Sequence, residues 1–196
     1  RRQCLRAIVL ALVILLAVVS QAIAQSPNLI VNGDFSQGNV GFDSSHTYSP
    51  GSISEPHTYD IVANPSDVHG SAASYGDHTS GDGLMMAING SPVEGDLPWF
   101  QTINVTPNQS YTFSMFISSW LGVPVPVSVI VNGTSIGSIT SASTTGVWQQ
   151  FTATFNAGPS STATIHIVEE GDPLWVGKYY AIDDIMVTGE SANGTV

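Results

Sequence analysis

Apolar and polar residues alternate along most of this chain with a period of two. In Ser110–Ser119, Tyr111, Phe113, Met115 and Ile117 fall on one face, and Thr112, Ser114, Phe116 and Ser118 on the other. That pattern predicts a half-buried strand. Val125, Val127, Val129 and Val131 repeat it, with Pro124 and Pro126 restricting the start of that strand to an edge or a bulge. Asn132-Gly133 supplies a type I′ turn, and residues 135–139 return as the partner strand. Phe151, Ala153 and Phe155, then Ala163, Ile165 and Ile167, alternate with polar neighbours. Further strands are expected at 28–31, 58–62, 83–89, 100–105 and 180–187. Nine or ten short strands, with no helix longer than a turn, predict an all-β fold, an antiparallel two-sheet jelly-roll sandwich.

The N-terminal end follows another pattern. Arg1, Arg2 and Arg6 precede a 13-residue apolar run, 7–19, and the small-residue triplet Ala22-Ile23-Ala24. A positive start, a short apolar segment and an A-x-A site predict a secretory signal peptide over 1–24, cleaved before Gln25. The expected location is therefore outside the cell, secreted or at the cell surface. The apolar run is short for a bilayer span, so no membrane insertion is expected after cleavage. Residues 25–188 then form one domain and 189–196 a polar tail.

Cleavage changes the charge balance. Fifteen carboxylates remain against a single cation, Lys178, a net charge of −14. Nucleic acid is excluded as a partner, because neutralising phosphates needs Lys and Arg, and an anionic membrane surface is disfavoured for the same reason. Cys4 leaves with the signal, which removes disulfides, thiolate nucleophiles and Cys metal sites from the domain.

Residues 36–82 break the alternation. They are rich in Gly, Ser, Pro and Asp and hold four of the five histidines, at 46, 57, 69 and 78. A long irregular stretch inside a compact domain is functional or disordered more often than not. These histidines share the region with Asp60, Asp67, Asp77 and Asp82, a donor set that could hold a transition metal, but none of the histidine spacings matches an H-E-x-x-H ligand pair, and hydrogen-bonded loop histidines are the expectation. Asp77 is expected to close a turn by accepting local backbone N–H groups. No G-x-S-x-G elbow is present. Glu94, Asp96, Glu169, Glu170 and Asp172 offer carboxylates for glycoside hydrolysis, but any acidic chain offers such pairs.

Several short blocks together resemble one superfamily. The opening Asn28-Leu29-Ile30-Val31-Asn32-Gly33-Asp34-Phe35 is similar to the first strand of carbohydrate-binding modules of the galactose-binding-like jelly-roll superfamily. The closing Tyr180-Ala181-Ile182-Asp183-Asp184-Ile185 is similar to their last strand. Between them, 59–65, 77–83 and 101–108 resemble secreted bacterial surface proteins that carry such a module. The resemblance implies a two-sheet jelly roll with a structural Ca²⁺, held by carboxylates of the first strand and of the closing Asp-Asp pair, here Asp34 and Asp183. Many relatives have an acidic residue where this chain has Ser36. First and last strands lying together could bring Asp34 and Asp183 to one cation, and a dication would relieve repulsion at −14.

Sugars are bound by stacking their C–H faces on aromatic rings. Phe116 is outward by parity and Trp120 continues that parity, with Trp175 and Tyr179 as loop partners; His166, also outward, adds a polar contact. Three functional readings follow. The first is a secreted, non-catalytic module binding a polysaccharide or cell-surface glycan through these aromatics. The second is a surface, matrix or adhesion protein that assembles outside the cell without a small ligand, with its oligomeric state left open. The third is a small glycan-active enzyme.

Overall fold

The computed structural model describes residues 26–170 and 177–189. The signal segment, Trp175 and the tail beyond Gly189 lie outside the described residues. Ten strands are present among the described residues: β1 (Thr47–Tyr48), β2 (Thr58–Val62), β3 (Met85–Asn89), β4 (Trp99–Asn104), β5 (Ser110–Ser119), β6 (Pro126–Val131), β7 (Thr134–Thr140), β8 (Gln149–Asn156), β9 (Thr162–Glu169) and β10 (Tyr179–Gly189). They form a six-stranded sheet, β1-β2-β3-β10-β5-β8, and a four-stranded sheet, β4-β9-β6-β7. All pairs are antiparallel except β1 with β2. This is the expected two-sheet β-sandwich. Among the described residues no helix is long and apolar enough to cross a membrane.

The inward alternates of the strands build the core between the sheets. Phe113, Met115 and Ile117 of β5 meet Val127 and Val129 of β6, Ile165 and Ile167 of β9, and Trp99, all buried. Asn132 and Gly133 both have positive φ, 49° and 81°, as the type I′ turn between β6 and β7 requires. Pro126 opens β6, which lies inside its sheet between β9 and β7 rather than at an edge; as the first residue it is tolerated there.

Residues 28–31 do not form a strand, although one is expected there. Asn28 instead uses its side chain, donating to the Ile185 carbonyl and accepting from the backbone N–H groups of Ile30 and Val187. Leu29 N donates to Val187 O, and Ile185 N to Gly33 O. The opening segment therefore lies along β10 where β3 has ended, and Phe35 and Ile185 share one core. Gly33 is required at this seam, because a Cβ there would run into the Ile185 carbonyl.

A second, smaller apolar cluster lies on the outer face of the six-stranded sheet. Met85, Ala87, Trp120 and Ala181 point away from the main core and are covered by Ile53 and Val68. The irregular stretch is thus a roof over this sheet.

Candidate functional site

The roof follows the outward side chains of β5. His78 stacks on Phe116 with ring centroids 3.4 Å apart and planes 16° from parallel. Tyr75 Oη lies 2.7 Å from Ser118 Oγ. His69 packs on Trp120, just beyond the strand, at 4.9 Å. Alternation placed Phe116 and Trp120 correctly on the outer face, but the face is not open. Trp120 is fully buried, and its Nε1 donates to Tyr180 O at 2.8 Å. Its expected exposure is corrected: sheet parity specifies a face and says nothing of a loop that later folds over it.

The roof is anchored on a bulge. The β10–β5 register shifts between Asp183 and Met186, and Asp184 has φ 48°, a left-handed conformation uncommon outside glycine. The bulge directs the Asp184 carboxylate at the roof, where Oδ2 lies 2.6 Å from His78 Nδ1 and Oδ1 accepts from Thr79 Oγ1. Asp183 is fully buried; its Oδ2 accepts from His78 N and its Oδ1 from Asp184 N. Burial pushes its pKa up to about 7, opposed by the His78 N–H and reinforced by the Asp184 and Asp77 charges. Asp77 closes its turn as expected. Burial works to raise its pKa, but N–H donors from Gly83, Ser80 and Gly81 outweigh it and hold the carboxyl below its ordinary value.

Beside this anchor is a hollow of ≈ 390 Å³ bordered by Asn32, Asp34, Phe116, Asp184 and Met186. One aromatic residue, Phe116, and two acidic residues, Asp34 and Asp184, line it. Asp34 is exposed and accepts from Ser36 N and Oγ through Oδ1. Asp184, rather than Asp183, shares the hollow with it.

The other expected ligand residues are scattered. Tyr179 is half-buried against Trp120 and His69, at 4.8 and 5.5 Å, in the second apolar cluster. His166 lies on the four-stranded sheet, edge-on to Phe100 at 5.7 Å. The structure therefore brings together Phe116 and Asp34 at the hollow and Trp120 with Tyr179 under the roof. It leaves His166 on the other sheet, and Trp175 lies outside the described residues.

A polar cluster not anticipated as a unit occupies one edge of the sandwich. The parallel β1–β2 register aligns Thr47 with Thr58, so His46 and His57 sit side by side, rings 4.5 Å apart and nearly perpendicular. Asp96 and Glu169 come from the four-stranded side, where Glu169 N donates to Asp96 O. Glu169 is fully buried, accepting from Tyr180 Oη and Ser91 N, both at 2.7 Å. Burial pushes its pKa up to about 7 against the pull of those donors and of Lys178. Burial, with the neighbouring His57, pushes His46 down to about 4, so its ring is neutral at pH 7.

No protein-family model matches the chain, and no curated protein matches it in sequence. Solved structures share its fold. The xylan-binding domain CBM22-1 of Paenibacillus barcinonensis Xyn10C superimposes with a TM-score of 0.52 at 11% identity, over 86% of this chain and 99% of that one. TmCBM61, solved with β-1,4-galactotriose, gives 0.51 at 18%, over 84% and 100%. A cyclase from Fischerella sp. TAU, solved with 4-(1H-indol-3-yl)butan-2-one, gives 0.53 at 15%, over 87% and 100%. The fold is that of carbohydrate-binding modules, and it also carries enzymes.

Proposed function

We propose that this chain is a secreted, non-catalytic domain that binds a polysaccharide or cell-surface glycan at the hollow beside Phe116. One observation carries the reading: Asp34, Asp184 and Phe116 line one hollow of ≈ 390 Å³ beside the β10 bulge. An aromatic side chain for sugar C–H groups next to carboxylate acceptors for hydroxyls is the chemistry that saccharide recognition needs. Xylan and galactotriose, named for two structures of the same fold, are the first classes to test. The Ca²⁺ of the family resemblance belongs to the same proposal. Asp34 and Asp183 would hold it, with Asp184 nearby; their donors are all oxygen, the type Ca²⁺ prefers. Its part would be to fix the seam between the opening segment and β10.

The test is affinity electrophoresis on a polysaccharide panel that includes xylan and β-1,4-galactan. The parent is expected to be retarded by at least one polymer. Phe116→Ala and Asp34→Asn each weaken retardation about tenfold, and His166→Ala leaves it unchanged. A folded parent that migrates freely on every polymer overturns the binding reading and favours extracellular assembly. Release of reducing sugar overturns the non-catalytic one.

A further inference from the structure

The edge cluster of His46, His57 and Asp96 carries an inference independent of the sugar reading. Each residue offers a ligand atom, and these atoms all lie within 4.8 Å of one another. His57 Nε2 is 3.6 Å from Asp96 Oδ2, and His46 Nε2 is 3.9 Å from Glu169 Oε2. The His46 side chain is 0% exposed, yet neither ring nitrogen has a hydrogen-bond partner among the described residues. His57 is 42% exposed, but its Nε2 is buried and equally without a partner. Buried imidazole nitrogens are costly to leave unpaired. Two of them converge here on a carboxylate, and His57 holds a left-handed backbone, φ 64°, in doing so.

We infer that His46, His57 and Asp96 bind a divalent transition-metal ion, Zn²⁺ first, with water completing its shell, and that the ion clips the two sheets together at this edge. Two imidazoles with carboxylate oxygens form a mixed nitrogen–oxygen donor set, which favours Zn²⁺ over Ca²⁺ or Mg²⁺. Tetrahedral Zn²⁺ with such ligands needs donor atoms about 3.3 Å apart. The His57–Asp96 pair at 3.6 Å is close to that, and the remaining separations among the three ligands, up to 4.8 Å, close by as much as about 1.5 Å on binding. His46 and His57 lie immediately before β1 and β2 of one sheet, Asp96 before β4 of the other, with Glu169 at the end of β9 beside them. Tyr180 donates to Glu169 Oε1 and orients that carboxylate. Lys178 Nζ, 3.7 Å from Glu169 Oε2, offsets part of the negative charge. The site is a tie between layers, in a domain with no disulfide to supply one.

The experiment uses the full secreted chain without a polyhistidine tag, stripped with chelator and dialysed. Zn²⁺ is titrated by calorimetry, and Co²⁺ is added separately for its visible absorption. The expected result is about one equivalent of Zn²⁺ bound at micromolar or tighter Kd. At a hundredfold excess over Kd, Tm rises by about 5 °C or more. Co²⁺ gives the d–d bands of a four-coordinate nitrogen–oxygen site. Asp96→Asn and His57→Ala each weaken binding at least about tenfold, and His166→Ala leaves it unchanged. If His57→Ala fails to fold, Asp96→Asn, at a partly exposed position, and the Co²⁺ spectrum of the parent still decide. No bound Zn²⁺, or binding that both variants leave intact, overturns the proposal and assigns the pocket to ordered water.

Discussion

His78 and Asp184 meet at 2.6 Å, Nδ1 to Oδ2, while the same imidazole lies flat on Phe116. One side chain thus fastens the roof to the bulge of β10 and covers the ring next to the candidate sugar site. His78→Ala removes both contacts. Because the pair is partly exposed, the expected loss is about 1 kcal/mol, read from urea unfolding. The hollow beside Phe116 should widen, so retardation by a bound polysaccharide should change as well. An unchanged melt and unchanged retardation would show that the stack fastens nothing.

Trp120 was a sugar-stacking candidate by parity, and its burial predicts a different phenotype. Trp120→Ala empties the centre of the second apolar cluster and orphans the Tyr180 carbonyl. The expected cost is about 3–5 kcal/mol, measured by denaturant unfolding. Glycan retardation of whatever fraction stays folded should match the parent. A stable Trp120→Ala protein that has lost only glycan binding would contradict the roofed face.

Without bound metal, Asp183 makes stability depend on pH. Its folded pKa is raised to about 7, whereas in the unfolded chain it titrates near 4. Between those values the folded protein keeps a proton that the unfolded chain has released. Stability from this group is therefore present below about pH 4 and is lost as pH rises to about 7. Glu169, raised to about 7, works in the same direction, and His46, lowered to about 4, works in the opposite one between about pH 4 and its ordinary value near 6.5. Asp183→Asn isolates the first contribution. Unfolding free energies at pH 5 and 8 should differ less in the variant than in the parent, and equal differences would reject this account.

Ca²⁺ is separable from Zn²⁺ by the choice of chelator and residue. If Asp34 and Asp183 hold Ca²⁺, millimolar Ca²⁺ raises Tm, EGTA reverses the rise, and Asp34→Asn or Asp183→Asn abolishes it. No response of the parent to Ca²⁺ ends that part of the proposal and leaves the Asp-Asp pair as the anchor of the roof.

Gly33→Ala tests the seam between the opening segment and β10. The added methyl meets the Ile185 carbonyl, a backbone atom that cannot swing away. A loss of about 2 kcal/mol or more is expected in thermal or urea unfolding. A neutral substitution would mean that this segment packs elsewhere in solution.

Much of the sandwich was legible because alternation reports burial directly. Residues 110–119 and 58–62 are strands at the expected bounds, and the Asn132-Gly133 turn is where its residue types placed it. At 28–31 the apolar run Leu29-Ile30-Val31 suited a strand, but Asn28 satisfied the backbone through its side chain instead of a ladder. The roof was illegible for another reason. The contacts of His69, Tyr75 and His78 with β5 join a loop to a strand some forty residues on, and such contacts have no period. The edge cluster is harder still. His46 and His57 become neighbours only through the two-residue parallel pairing of β1 with β2, and Asp96 and Glu169 arrive from the other sheet. Spacing rules detect ligands carried on one element, and this cluster is spread over four.

The strand order β1-β2-β3-β10-β5-β8 puts the last strand of the sequence in the middle of the larger sheet. A nascent chain cannot zip that sheet from its N-terminal end: β3 and β5 must wait, with one edge each unpaired, until β10 has left the ribosome. Acquisition of structure should therefore be late and cooperative, and slow relative to helical domains of the same size. If the chain is exported, as its N-terminal pattern predicts, that delay keeps it unfolded for the export machinery.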